Sequence, residues 1–172
     1  PSTITHLTFG RDFDQLIDNL PPSITHLTFG ISFNQSVDNL PSSITHLTFS
    51  CYSQFNQTVN NLPLSITHLT FDMYFNQPID YLPSSITHIT FGSRFNQSID
   101  NLPSSITHLT FDRCYSKFNQ SMNNLQSSIE FIQLPEKYEN KILNIPKKLK
   151  VIKCSKKYKH INNYNGLELI PY

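Results

Sequence analysis

The chain has 172 residues, of which 38% are hydrophobic and 15% charged, and its formal net charge is +1 at pH 7. This composition fits one domain, and no apolar run approaches the roughly 18 residues that a membrane span requires, so we expect no membrane segment. Only four glycines are present, and they form no glycine-rich phosphate loop.

Six near-copies of the heptapeptide Ser-Ile-Thr-His-Leu-Thr-Phe follow one another from the N-terminal end. A fixed short period means that each unit contacts chiefly its sequence neighbours, so the sequence predicts a stack of coils. The isoleucine of each heptapeptide marks one coil, and two weaker copies extend the count to about eight. These anchors of coils one to eight are Ile4, Ile24, Ile44, Ile66, Ile86, Ile106, Ile129 and Leu149.

Each heptapeptide has the β-branched and aromatic content of a strand. Alternation places its Leu and Phe on one face and its His and second Thr on the other. One strand per coil gives a parallel sheet, because a parallel partner cannot be reached by a tight turn. The return of roughly 14 residues is too short and too broken for a full helix, so we predict extended chain with turns or short 3-10 pieces.

The spacing Ile-x-x-Leu-x-Phe, closed by Leu-Pro, resembles the shortest leucine-rich repeats. More specifically, the unit is similar to the FNIP repeat, whose name corresponds to the segments 33–36 (FNQS) and 75–78 (FNQP). We therefore predict a mainly β, right-handed, leucine-rich-repeat-like solenoid that forms a single repeat domain over residues 1–172. Residues 1–125 would form six regular coils, and residues 126–172 two degenerate coils and a basic C-terminal cap.

The resemblance also implies a cellular setting. FNIP repeats of amoebal and giant-virus proteins often follow an F-box, a short helical segment that recruits a ubiquitin ligase. Where an F-box lies upstream, the repeats would form the substrate-recognition arm. The chain begins at Pro1, inside a repeat and without Met, so we expect it to be an excised or processed piece.

Three cysteines are an odd number, and Cys51 and Cys114 lie three coils apart. At about 4.8 Å per strand they are separated by roughly 14 Å, whereas a disulfide needs Cα atoms within about 7 Å. We expect free thiols, with Cys154 in a core column, and an intracellular, reducing compartment such as the cytoplasm.

A periodic asparagine follows the second Phe of the coil and creates Asn-x-Ser/Thr sequences. These sites would accept glycans in a secreted protein. The alternative, which suits a reducing compartment better, is a ladder of hydrogen bonds between the turns of successive coils. The asparagines in such sequences are Asn34, Asn56, Asn96 and Asn119.

One histidine per regular coil occupies the same outward strand position. At about 4.8 Å spacing, neighbouring imidazolium cations repel, so the column should resist full protonation. The ligands form a row rather than a converging cage, which favours a solvated or partner-facing ladder over weak metal binding or a pH switch. The column is His6, His26, His46, His68, His88 and His108, and its last four members are candidate partner-binding residues.

Charge is divided along the chain, because residues 1–125 carry a net charge of −4 and residues 126–172 a net charge of +5. The lysines between 147 and 159 could meet an acidic partner or phosphates. A polar cap is the simpler interpretation, since Lys at the edge of a stack discourages end-to-end association. We expect no nucleic-acid partner.

Two coils carry insertions at the same point, and both insertions contain Cys-Tyr-Ser. They span residues 50–54 and 112–117, between the first and second Phe of coils three and six. Insertions project from one edge of a solenoid, so these loops would flank coils four and five. Loop drift between duplicated units is the simpler interpretation, and a shared docking patch, favoured by the common Cys-Tyr-Ser, is the alternative. The candidate residues of this patch are Tyr52, Tyr115, Met73 and Tyr74.

Repetition gives six equivalent weak sites rather than one preorganised catalytic constellation, and no H-E-x-x-H or C-x-x-C element is present. We therefore predict a non-enzymatic protein-protein interaction scaffold with a protein partner and no cofactor. Two alternatives remain: a structural or ordered-surface repeat protein without a specific partner, and weak metal binding by the histidine column.

Overall fold

A computed structural model describes residues 3–164 and 166–172, and in it nine parallel strands form one sheet in the order of the chain. Each strand pairs with its predecessor and its successor, so the chain completes one coil per strand. The predicted mainly β, leucine-rich-repeat-like solenoid is confirmed. The strands are β1 His6–Thr8, β2 His26–Phe29, β3 His46–Phe49, β4 His68–Thr70, β5 His88–Phe91, β6 His108–Phe111, β7 Phe131–Gln133, β8 Val151–Cys154 and β9 Glu168–Pro171.

The regular strands pair in one register, so that equivalent side chains stand in columns. His26 lies opposite His46 and Leu27 opposite Leu47. In β2, Leu27 and Phe29 are buried while the two polar residues are half-buried. The predicted alternation is therefore confirmed, with an apolar face toward the interior of the coil and a His/Thr face toward solvent.

Two phenylalanines of each regular coil stack inside the solenoid. The rings of Phe29 and Phe33 lie 3.7 Å apart, and the ring of Phe29 lies 5.6 Å from that of Phe49 in the next coil. Such aromatic pairs contribute about 0.5–1.5 kcal/mol beyond the burial of their area. The interior is therefore a continuous aromatic column that links every regular coil to its neighbours.

Polar side chains connect the coils outside the sheet. The backbone N–H of Asn76 donates to Asn56 Oδ1 at 2.8 Å, and that of Asn56 donates to Asn34 Oδ1 at 2.9 Å. This ladder confirms the hydrogen-bonding role predicted for the periodic asparagine. The serine before the anchor has a similar role in coils two to seven, as Ser43 Oγ donates to the carbonyl of Ile24 at 2.6 Å.

The return segments are extended chain with turns, and the described residues contain one short 3-10 helix, Ile161–Asn163. Within the described ranges, no helix has the length and apolar character that a membrane crossing requires. The thiols of Cys51 and Cys114 are free and exposed, and that of Cys154 is free and buried. All three cysteines are therefore in the states that their spacing predicts.

The C-terminal end contains more sheet than the sequence pattern indicates. Strand β9 extends the sheet by pairing with β8 over four residues, although residues 168–171 do not match the repeat. Pro171 lies in this last strand, where a missing N–H disturbs no further partner in the described sheet. The surrounding lysines are mostly exposed, and Lys150 Nζ pairs with Glu130 Oε2 at 2.6 Å.

Gly92 marks a point where adjacent coils touch through their backbones. A Cβ added there would lie 2.3 Å from the carbonyl carbon of Asp72. The sheet holds both segments in place, so we expect Gly92→Ala to lower the free energy of unfolding by about 1–3 kcal/mol, as overpacking does. Urea unfolding followed by circular dichroism measures this loss.

The matched control is Gly10→Ala, because a Cβ at Gly10 meets no atom within 4 Å. We expect this control to unfold at nearly the same urea concentration as the unmodified chain. Equal losses in the two variants would show that backbone contact at Gly92 is not the cause.

Candidate functional site

The two inserted loops stand on the same edge of the stack and enclose a groove of about 430 Å³. The loops belong to coils three and six, so coils four and five form the floor between them. The strand spacing places the two walls about 14 Å apart at their bases. The lining residues are Cys51, Tyr52, Asp72, Met73, Ser93, Asp112 and Tyr115.

Both tyrosines of the walls are open to solvent, with exposed fractions of 66% for Tyr52 and 79% for Tyr115. Tyr52 also has a φ of +64°, in the left-handed region that favours glycine. That conformation costs a residue with a side chain about 1–2 kcal/mol. The loop therefore holds a large, exposed aromatic ring at a conformational cost, and such outliers concentrate at functional positions.

Short polar contacts hold the shape of the loops, and the tyrosine side chains take no part in them. In each loop the serine hydroxyl accepts the N–H of the second Phe, from Phe55 to Ser53 Oγ at 3.2 Å and from Phe118 to Ser116 Oγ at 3.3 Å. Asp112 Oδ1 accepts the N–H of Tyr115 at 2.7 Å. The serine of the shared Cys-Tyr-Ser motif is thus explained by local structure, and the tyrosine is not.

The floor of the groove combines apolar and acidic groups. Ser93 is buried, and Met73 and Asp72 are half-buried. Burial raises the pKa of the Asp72 carboxyl, hydrogen bonds from the Cys51 thiol and the Tyr52 backbone lower it in part, and the negative charge of Asp112 raises it further. The two carboxylates are therefore close enough to repel each other.

Tyr74 does not line the groove. Its ring lies under the guanidinium of Arg94, with Cζ 4.2 Å from the ring centroid, in a separate depression that also contains Lys117. Of the four residues predicted for the edge patch, Tyr52, Tyr115 and Met73 share one site, and Tyr74 lies beside it.

Asp72, Ser93 and Asp112 were not among the site residues predicted from the sequence, although Asp112 begins the second inserted segment. A signal for the carboxylates was available, because Asp72 and Asp112 follow the first Phe of the coil directly, where three other regular coils have Gly. Gly92 occupies the equivalent position in the coil between them.

The histidine column lies on a different surface, the outward face of the sheet. Successive rings are stacked, with centroids 4.1–4.2 Å apart and planes inclined by 12–13°. Each Nδ1 is hydrogen-bonded to the hydroxyl of the preceding Thr, as at 2.9 Å between Thr45 and His46. The candidate residues His46, His68, His88 and His108 are thus neighbours in one continuous stack that does not reach the groove.

The stack favours neutral imidazoles. Burial lowers the pKa of His26, His46, His68 and His88, and the other histidines of the column lower it further. This direction agrees with the predicted resistance to protonation. Within residues 3–164 and 166–172, no group of His, Cys, Asp or Glu has an arrangement that could hold a metal ion.

The lowered pKa values predict acid sensitivity. The unfolded chain has histidines with the ordinary pKa of 6.5, so on acidification it binds protons before the folded chain does. The contribution of the neutral stack to the free energy of unfolding is therefore complete above about pH 6.5. It decreases as the pH drops below that value. We expect the melting temperature to decrease over this range, as measured by circular dichroism.

The triple variant His46→Gln/His68→Gln/His88→Gln should show a weaker pH dependence, whatever its stability at neutral pH. His160→Gln is the control, because His160 lies outside the stack, against the edge of Tyr158. If the triple variant keeps the full acid sensitivity, groups other than these three histidines cause it.

Comparisons with known proteins agree with this architecture. The family model of the FNIP repeat matches residues 1–30, 16–52, 55–94 and 75–114, and no curated protein matches the chain. A solved giant-virus structure, described as "CroV588 a novel circular LRR protein", superposes with a TM-score of 0.80 and 41% sequence identity. The match covers 92% of this chain and 25% of that one, so the chain spans a quarter of that protein's length. Because the family matches extend over most of residues 1–114, the chain belongs to the FNIP repeat family.

Proposed function

We propose that this chain is a non-enzymatic protein-interaction scaffold whose partner binds in the groove between the two inserted loops. The observation that carries the proposal is the placement of Tyr52 and Tyr115. They occupy equivalent Cys-Tyr-Ser insertions, are exposed by 66% and 79%, and line one groove from opposite sides. Tyrosine is a favoured anchor residue at protein interfaces.

The architecture supports binding without rearrangement. The floor is built on strands that are paired on both sides, and the loops are held to neighbouring coils by backbone bonds. Gln54 N–H donates to the Ile31 carbonyl and Lys117 N–H to the Ser93 carbonyl, both at 2.7 Å. A preformed surface of this kind loses little conformational entropy on association.

The non-enzymatic role is proposed because the groove offers its thiol no imidazole base; the Cys51 thiol donates to the Asp72 carboxyl, which is ordinarily a much weaker base than imidazole. The carboxylates of the groove, Asp72 and Asp112, are separated from the histidine stack, which lies on the outward face of the sheet. General-base activation of a hydroxyl or thiol needs a base within about 2.6–3.2 Å. No histidine is among the seven lining residues.

The histidine face is the second surface that we propose for contact. His46, His68, His88 and His108 are half-buried and stacked in regular order, so their outer edges form a continuous polar strip. Linked to an F-box, either surface would select the substrate of a ubiquitin ligase, as the family resemblance implies. The groove is the stronger candidate because its shape and its two aromatic anchors are specific to coils three to six.

Removal of both rings should abolish partner capture while the fold persists. We choose Tyr52→Asn, because Asn tolerates the left-handed conformation, together with Tyr115→Ala. The double variant should retain less than about a tenth of the partner captured from cell lysate, since anchor residues cost about 2 kcal/mol or more each when truncated. Quantitative mass spectrometry of the captured proteins measures the loss.

Tyr81→Ala is the matched control, because Tyr81 is 72% exposed but does not line the groove. Thermal melts check that all variants fold. Equal capture by the double variant and the control would move recognition to the histidine face. No specific capture by the unmodified chain would favour a structural role.

A further inference from the structure

We propose that the groove between the inserted loops recognises a cationic side chain, arginine or lysine, of the partner polypeptide. The inference rests on the proposed function and adds the chemistry of the group that is bound. Its basis is the combination of two carboxylates, two exposed tyrosine rings and the apolar side chain of Met73 in one groove of about 430 Å³. Each of these three elements contributes to binding in a different way.

The charged residues that line the groove are all acidic. Asp72 and Asp112 line it, and none of the seven lining residues is Lys, Arg or His. Residues 1–125, which contain the groove, carry a net charge of −4. Hydrogen bonds between a carboxylate and an ammonium or guanidinium group are about twice as strong as bonds between neutral groups.

The nearest cations of the chain are engaged elsewhere. Arg94 lies over the ring of Tyr74 at 4.2 Å, and Arg113 lies over the ring of Tyr172 at 4.4 Å. Lys117 lines the neighbouring depression. The carboxylates of the groove are therefore left without a Lys or Arg partner among the described residues.

The two arginine contacts also show how this edge of the solenoid accommodates a guanidinium group. In both, the cation packs on the face of a tyrosine ring, an arrangement that is attractive within about 6 Å of the centroid. Tyr52 and Tyr115 have no such cation among the described residues. Their rings are exposed on opposite walls, where an incoming arginine or lysine can reach either of them.

The floor fits the rest of such a side chain. Arginine and lysine have an apolar stem of three or four methylene groups, which packs against hydrophobic surface while the charged end reaches polar groups. Met73 supplies an unbranched and adaptable apolar contact in the floor. A metal ion would need converging ligands instead, and the described residues contain no such group.

The proximity of the two carboxylates strengthens the argument for a cation. Burial of Asp72 disfavours its ionisation, and the negative charge of Asp112 adds to this effect. A positive group between them relieves this repulsion, and in a partly buried groove the attraction is less screened than at an open surface. An acidic or wholly apolar partner would leave both carboxylates uncompensated.

The experiment starts with a displayed library of random 12-residue peptides, selected on the unmodified chain and counter-selected on Tyr52→Asn/Tyr115→Ala. We expect the enriched peptides to share an arginine or lysine at one position. Fluorescence anisotropy then measures the affinity of one labelled peptide and of its copy with Gln at that position. We expect the Gln peptide to bind at least about tenfold more weakly, as loss of a charge-assisted, ring-stacked contact predicts.

The protein side of the test is Asp72→Asn/Asp112→Asn, because Asn keeps the size of Asp and its Oδ1 can still accept the N–H of Tyr115. We expect this variant to lose at least about tenfold in affinity for the basic peptide and little for the Gln peptide. Such non-additive losses on the two sides of an interface identify a direct contact. Asp12→Asn/Asp38→Asn is the control with the same change of net charge outside the groove, and we expect it to bind within about twofold of the unmodified chain.

The outcomes separate the two proposals. Cation recognition would be overturned if the selected peptides require Tyr52 and Tyr115 but carry no basic residue. It would also be overturned if the affinity losses from the peptide and protein substitutions simply add. Either outcome leaves the proposed interaction function intact. Equal losses in the groove variant and the control would assign the effect to overall charge and overturn cation recognition as well. Failure to find any peptide that requires the two tyrosines would overturn both. The peptide substitution leaves the protein unchanged, so it decides the question even where a variant folds poorly.

Discussion

Parallel pairing of identical strands in one register is the interaction on which the rest of the structure depends. Each strand has three or four residues, and strands β2 to β8 bury only alternate side chains, so a single coil has too little interior to be stable alone. Pairing His26 with His46 and Leu27 with Leu47 brings like side chains into columns. The phenylalanine column, the asparagine ladder and the histidine stack are all consequences of that register, because each needs identical residues at the same height of successive coils.

The register also explains where variation is tolerated. An insertion within a strand would shift every column beyond it by one face. The two insertions instead lie between the first and second Phe of a coil, so that both rings still reach the interior, at 3.8 Å for Phe49 and Phe55 and 4.2 Å for Phe111 and Phe118. The extra residues are accommodated outside the sheet, and the surface that differs from coil to coil is confined to one edge. The groove belongs to this edge.

The two candidate surfaces differ in their electrostatics because they differ in origin. The histidine face arises from repetition, and burial, together with neighbouring histidines at 4.1–4.2 Å, lowers the pKa of members such as His46 and His68 and favours their neutral form. The groove arises from departures from the repeat, and it gathers two carboxylates and two tyrosines in one place. A regular face suits a broad contact, whereas an irregular groove suits a specific one.

The sequence by itself determined the features that each coil encodes locally. The period, the strand, the two faces, the core columns and the edge position of the inserted loops all follow from a pattern of seven residues and its spacing. These predictions succeed because contacts in a solenoid are made between neighbours, so local pattern and tertiary position coincide.

Only the tertiary structure decided the composition of the groove. Tyr52 and Tyr115 are 63 positions apart in the chain, and their approach depends on the stacking of four coils. The same stacking places Asp72 near Asp112, turns Tyr74 away under Arg94, and supplies the edge of β8 on which β9 forms. These features depend on side-chain directions and backbone partners between coils, which the one-dimensional pattern of a single repeat does not contain.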